Sequence, residues 1–249
     1  MNIVVNKLLA NYTLSGKGRL ILLLHGWGDS SRGLVGLQRE LAGAYMVLSV
    51  DLPGFGGSEA PGKAWNLDDY AAFLCDLLDK LKLQQPYAVI GHSNGGALAI
   101  RALSLGFLDT DKLVLLAASG VRNGGAGKRV ALKTLAKTGK AATAWMPERY
   151  RSGLRRGLYK TAGSDMLVAP HMQETFKRVV RQDVRADAAA ITKPTLLIYA
   201  TEDKAVPLED GRVYHRAIRG SRLETVPGGH FVHIEQPGKV TKMIEDFLQ

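Results

Sequence analysis

Tyr87-Ala88-Val89-Ile90-Gly91-His92-Ser93-Asn94-Gly95-Gly96-Ala97-Leu98-Ala99-Ile100 reads as a strand, a sharp turn and a helix, with a serine at the turn. Ala88 to Ile90 is a short apolar run suited to a buried parallel strand, and Ala97, Leu98, Ile100, Arg101 and Leu103 continue as helix formers. Between them lies G-x-S-x-G. Gly91 and Gly95 lack the Cβ that would collide with a serine held in a strained turn, so the spacing lets Ser93 project its hydroxyl from the sheet edge. Because the turn opens a helix, the free N–H of Asn94 and the positive end of the dipole face the place where that hydroxyl attacks. A serine hydroxyl is a poor nucleophile without a base and an oxyanion site, so the rest of the chain has to supply both.

Upstream, Ile3 to Val5 and Leu8 to Leu14 look like two short antiparallel strands. Arg19 to Leu24 is a strand whose continuous apolar pattern says that both faces are covered, as in the centre of a parallel sheet. It runs into His25-Gly26-Trp27-Gly28-Asp29, a loop of small residues from which the Trp27 backbone N–H offers a second oxyanion donor. Tyr45 to Val50 is the next buried strand, followed by Asp51-Leu52-Pro53-Gly54-Phe55-Gly56-Gly57-Ser58, where Asp51 reads as the anchor of a turn. Asn66 to Leu83 is the clearest amphipathic helix, with Asn66 as its N-cap. Downstream, Lys112 to Ala118 is a further buried strand. Strand and helix then alternate again from Lys193 to Ala200 onward, with a helix over Leu208 to Ile218, a strand over Arg222 to Val226 and a closing helix from Pro237 to Leu248.

The segment between those two strands has a different character. Of the 33 Lys+Arg and 23 Asp+Glu, Val121 to Ala190 holds 15 and 5, which leaves 18 of each in the remainder. The whole excess of +10 therefore belongs to this stretch. It carries helical patterns at Arg129 to Lys140 and Met172 to Val184 and no convincing strand. We read it as a helical cap, residues 121–190, inserted into an α/β core formed by residues 1–120 and 191–249. Its charge reads as a solvated basic face, with a site for anionic ligands as the alternative. A nucleic-acid binder is disfavoured because no recognition motif accompanies the charge.

Composition narrows the classes further. The single cysteine, Cys75, permits no internal disulfide and supports no thiol metal site. Apolar runs reach only about six residues, against the roughly 20 that a membrane-spanning helix needs. Residues Met1 to Lys7 lack a charged region followed by a long apolar stretch, so the expectation is a cytoplasmic protein without a signal peptide.

Ser93, Asp203 and His230 each fall in a loop after a separate strand, the edge where open α/β sheets place their sites. Converging, they make a nucleophile, an orienting carboxylate and a base. Glu202 would point away if Asp203 points in. His233 reads as a packing residue, His92 as buried and hydrogen-bonded away from the serine, and His25 as a brace for the loop that carries Trp27.

Taken together, His25-Gly26-Trp27-Gly28, Asp51 to Ser58, Gly91 to Gly96, Asp203 with Val206-Pro207, and Gly229-His230-Phe231 with Glu235-Gln236-Pro237 resemble the α/β-hydrolase fold, in its small group with a helical cap. The resemblance runs from about Arg19 to Leu248. It implies a mostly parallel sheet of about eight strands flanked by helices, a cap over the pocket, and oxyanion donors at Trp27 and Asn94. Ala200-Thr201 departs from the glycine that many relatives carry before the acid loop, but both residues are small. A serine nucleophile points to a carboxylic ester hydrolase working through an acyl-enzyme, with a small-molecule ester as partner and no cofactor or metal. Two alternatives stay open. One is hydrolysis of a carbon–carbon bond in a ring-cleavage diketo acid, and the other is a slow-turnover ligand receptor of the same fold. The oligomeric state, monomer or dimer, stays open too.

Overall fold

The computed structural model of the chain describes residues 1–122 and 169–249. Eight strands form one sheet: β1 Asn2–Val5, β2 Leu8–Ser15, β3 Leu20–Leu24, β4 Met46–Val50, β5 Ala88–His92, β6 Lys112–Leu116, β7 Thr195–Ala200 and β8 Arg222–Val226. Their spatial order is β1-β2-β4-β3-β5-β6-β7-β8. β1 and β2 are an antiparallel hairpin, closed by Asn6 and Lys7 at φ 48° and 68°, the left-handed pair that matches strand twist. β2 runs antiparallel to β4, and every pairing from β4 to β8 is parallel.

The continuous apolar strands have the meaning expected of them. Leu22, Leu24, Val89, Leu113, Leu115 and Leu197 face one buried cluster, while Ile21, Leu23, Ile90, Val114, Leu116 and Ile198 face another on the opposite side of the sheet. The first is roofed by α2 (Leu67–Leu81), α3 (Asn94–Ser104) and, from the far end of the chain, Tyr214 of α6 (Leu208–Ala217). The second is closed by α1 (Val35–Leu41) and α8 (Pro237–Leu248). At the start of α2, Asn66 Oδ1 accepts the Asp68 and Asp69 N–H groups and Asp69 returns a bond to the Asn66 N–H, a reciprocal cap.

Within the described part of the proposed insertion, the helix expected over Met172 to Val184 stops short at Val179, and a separate short helix begins beyond its expected end. A 3-10 turn at Pro170–Met172 leads into α4 (Gln173–Val179), and α5 (Arg185–Ala189) follows after a turn. In the turn between them, Gln182 accepts the Leu67 N–H at the start of α2, and Asp183 Oδ1 accepts the Arg185 N–H at the start of α5. The other expected helix, Arg129 to Lys140, lies outside the described residues. The α7 turn, Val232–Glu235, completes the set. Among the described residues no helix is long and apolar enough to cross a membrane.

Candidate active site

Ser93 ends β5 and opens α3 at φ 50°, ψ −115°, a conformation a residue with a side chain rarely adopts. Its N–H donates to the Leu116 carbonyl of β6, and its own carbonyl accepts from Gly96 and Ser119, so the neighbouring strand and the first turn of α3 hold the strain. The glycines are required by backbone rather than by the serine side chain. A Cβ on Gly91 would lie 2.5 Å from the Gly95 carbonyl oxygen, and one on Gly95 would lie 2.3 Å from the Leu24 carbonyl oxygen of β3. The α3 N-terminus can therefore press against β3 and β5 only without those carbons.

The three residues expected to converge do so. His230 Nε2 is 2.9 Å from Ser93 Oγ, and His230 Nδ1 is 2.7 Å from Asp203 Oδ2. Asp203 is buried, and its other oxygen accepts the Ala205 and Val206 N–H groups at 2.8 and 2.9 Å. An ionised carboxylate only accepts, so Nδ1 of His230 carries the proton and Nε2 presents its lone pair to the serine hydroxyl. Such a chain can take a proton from Ser93 as the oxygen attacks. Glu202 is exposed and stays outside the site.

On the opposite side of Ser93, the His25–Asp29 loop leaves β3 and passes so close that a Cβ on Gly26 would lie 3.2 Å from the Ser93 Cβ. Among the described residues neither the Trp27 nor the Asn94 backbone N–H donates a hydrogen bond, which leaves both available. His25 braces this loop: its Nε2 accepts the Leu52 N–H at 2.9 Å, and its Nδ1–H donates to the Gly26 carbonyl at 2.7 Å. Burial holds its imidazole below the usual histidine range. Asp51 is the turn anchor expected, accepting the Ser31 and Gly57 N–H groups. His233 is buried as a packing residue, and burial lowers its pKa to about 4.

Three features escaped the sequence reading. Glu235 accepts the Gly229 N–H at 2.6 Å and pins the His230 loop. The Trp27 indole packs edge-on against Phe55 at 4.8 Å and tilted against Phe176 of α4 at 5.1 Å, so α4 contributes an aromatic ring beside the His25–Asp29 loop. Arg101 of α3 joins Asp68 of α2 to Asp187 of α5 through bonds of 2.8 and 2.7 Å. The only sequence signal for these is residue type, an acid near a glycine pair or a lone arginine in an apolar helix, and neither names its partner.

The chain can now be set beside known proteins. A family model described as the alpha/beta hydrolase family matches residues 21–242. The 2-hydroxy-6-oxo-2,4-heptadienoate hydrolase of Pseudomonas putida is 27% identical over 254 residues, which cover 94% of this chain and 90% of that one. The pyrrolizixenacetamide deacetylase of Xenorhabdus hominickii is 25% identical over 253 residues, covering 96% and 94%. The solved structure of an esterase from Exiguobacterium antarcticum superposes with a TM-score of 0.76 at 21% identity, covering 99% and 98%, a likeness of fold.

Proposed function

The chain belongs to the alpha/beta hydrolase family, and on that premise we propose that it hydrolyses carboxylic esters of small to medium acyl groups through an acyl-enzyme on Ser93. The observation that carries this reading is the unbroken chain of hydrogen bonds from Ser93 Oγ through His230 to the buried Asp203 carboxylate. As Ser93 Oγ attacks the acyl carbon, His230 Nε2 takes the hydroxyl proton, and the carbonyl π pair moves onto oxygen, where the Trp27 and Asn94 N–H groups receive it. Collapse breaks the carbon–oxygen bond, and the departing alkoxide leaves as an alcohol with the His230 proton. Water then adds to the acyl-enzyme, giving its proton to His230. The second collapse releases the acid and returns that proton to Ser93.

Asp203 keeps the imidazole in the tautomer this sequence needs and offsets the imidazolium charge. The insertion over residues 121–190 is the cap in this reading, and Met172 and Phe176 at its described end join Trp27 and Phe55 in an apolar cluster beside the His25–Asp29 loop, which favours an apolar acyl group there. The likeness to the heptadienoate hydrolase favours one other reading, cleavage of a carbon–carbon bond in a ring-cleavage diketo acid by the same residues.

Steady-state hydrolysis of p-nitrophenyl esters from acetyl to long acyl chains, with wild type and Ser93→Ala in parallel, separates the readings. Turnover that disappears with Ser93 is expected, and the chain-length preference measures the pocket. Activity confined to a vinylogous diketo acid would replace the ester reading with the carbon–carbon one.

A further inference from the structure

Of the six histidines, His92 stands immediately before the nucleophile, and the reaction above gives it no task. It is 1% exposed. Its Nε2 lies 2.9 Å from the main-chain carbonyl oxygen of His230. A carbonyl only accepts, so Nε2 carries a proton, while a second proton on Nδ1 would be buried without an acceptor. Nδ1 meets no hydrogen-bond partner among the described residues, and it faces the oxyanion loop, where a Cβ on Gly26 would lie 3.1 Å away.

The ring is 4.8 Å from that of His230, 4.6 Å from that of His233 and 5.4 Å from that of Phe231. A side chain covalently adjacent to the nucleophile thus touches both the loop that carries the base and the loop that carries Trp27. Burial holds its imidazole well below the usual histidine range, and His233, His230 and His25 all oppose a charge on it. Two further bonds, Gly229 N–H to Glu235 and Glu202 N–H to the Gly228 carbonyl, hold the same loop just before His230. Among the described residues, the His92 bond is the one made to the main chain of His230 itself.

We propose that His92 is a positioning residue for the base. Its Nε2–H grips the His230 carbonyl and sets the reach of the His230 ring to Ser93, and its neutral ring lets His230 hold the reaction's proton without a second cation beside it. The inference rests on Ser93 and His230 acting as nucleophile and base.

Its test has two readouts and needs no natural substrate. In the wild type, spectra of ¹⁵N-histidine-labelled protein should show His92 as the uncharged Nε2–H tautomer from about pH 5 to 9; an Nδ1–H or charged ring overturns the proposal without any variant. His92→Phe keeps the volume and removes the donor, whereas His92→Gln restores an N–H at similar reach. In His92→Phe the downfield Nδ1–H resonance of His230, assigned by its loss in His230→Gln, should broaden or vanish. Phosphonylation of Ser93 by a fluorophosphonate probe should slow by about 10- to 100-fold, the scale of an ångström-level misplacement. His92→Gln should recover the resonance and most of the rate. A His92→Phe protein with wild-type resonance and rate overturns the proposal, as does a His92→Gln protein as impaired as His92→Phe. A wild type that resists the probe counts against Ser93 as nucleophile instead, and the two resonance measurements then decide the role of His92.

Discussion

The strain at Ser93 costs of the order of 1–3 kcal/mol and persists because β6 and the first turn of α3 bond its backbone on both sides. Those bonds use main-chain groups alone, so Ser93→Ala should abolish turnover and leave the melting temperature nearly unchanged; kinetics and thermal unfolding on one preparation check both. His230→Ala and Asp203→Asn should lower kcat by about 10⁴- to 10⁶-fold, with Glu202→Gln near wild type. Near-normal Asp203→Asn activity beside a dead Glu202→Gln would move the acid one residue. Ser93, Asp203 and His230 were legible in the sequence because each falls in a loop after a separate strand, and strand ends converge in a parallel sheet. His92 was legible only as a buried, bonded ring. Its partner, His230, is 138 residues away, and no local pattern encodes an approach of that kind.

At the scale of elements, the glycines around the serine set how closely helix meets sheet. Gly95→Ala would drive a methyl carbon to 2.3 Å from the Leu24 carbonyl, an atom of the central strand that has no room to retreat. That variant should lose about 1–3 kcal/mol in urea unfolding, as overpacked core positions do, and most of its activity, because a displaced α3 carries Ser93 and the Asn94 N–H out of line with His230. Phe176 of α4 touches Trp27. Phe176→Ala should raise KM about fivefold with kcat little changed, the loss of one aromatic contact worth about 1 kcal/mol. The strands were legible because a continuous apolar run has one meaning in a doubly covered sheet. The end of α4 at Val179 was not, because Met172, Phe176, Val180 and Val184 keep an apolar spacing of four past it, and the Gln182 side chain in the turn binds the start of α2, a partner no local pattern names.

For the whole molecule, charge and burial pull in separate directions. His25, His92 and His233 are all buried with lowered pKa values, His233 to about 4. A histidine depressed in the folded state binds fewer protons there than in the unfolded chain between the two pKa values. Folding free energy is therefore fully present above about pH 6.5 and is lost as the pH falls towards 4. His233 alone accounts for about 3 kcal/mol of that loss, and Asp210, raised by burial to about 6, offsets part of it. Urea unfolding at several pH values should show the decline in the wild type and a shallower one in His233→Phe. Matching curves would mean that His233 is not buried as described. The strand order was not legible, because periodicity marks strands without naming neighbours. That β4 lies between β2 and β3 follows from packing over the whole sheet. The central claim, that Ser93 is the nucleophile His230 activates, is tested most directly by intact mass and peptide mapping after reaction with a fluorophosphonate. The account requires one adduct per chain, mapped to Ser93 and strongly suppressed in His230→Ala. An adduct elsewhere, or none on the folded wild type, would contradict it.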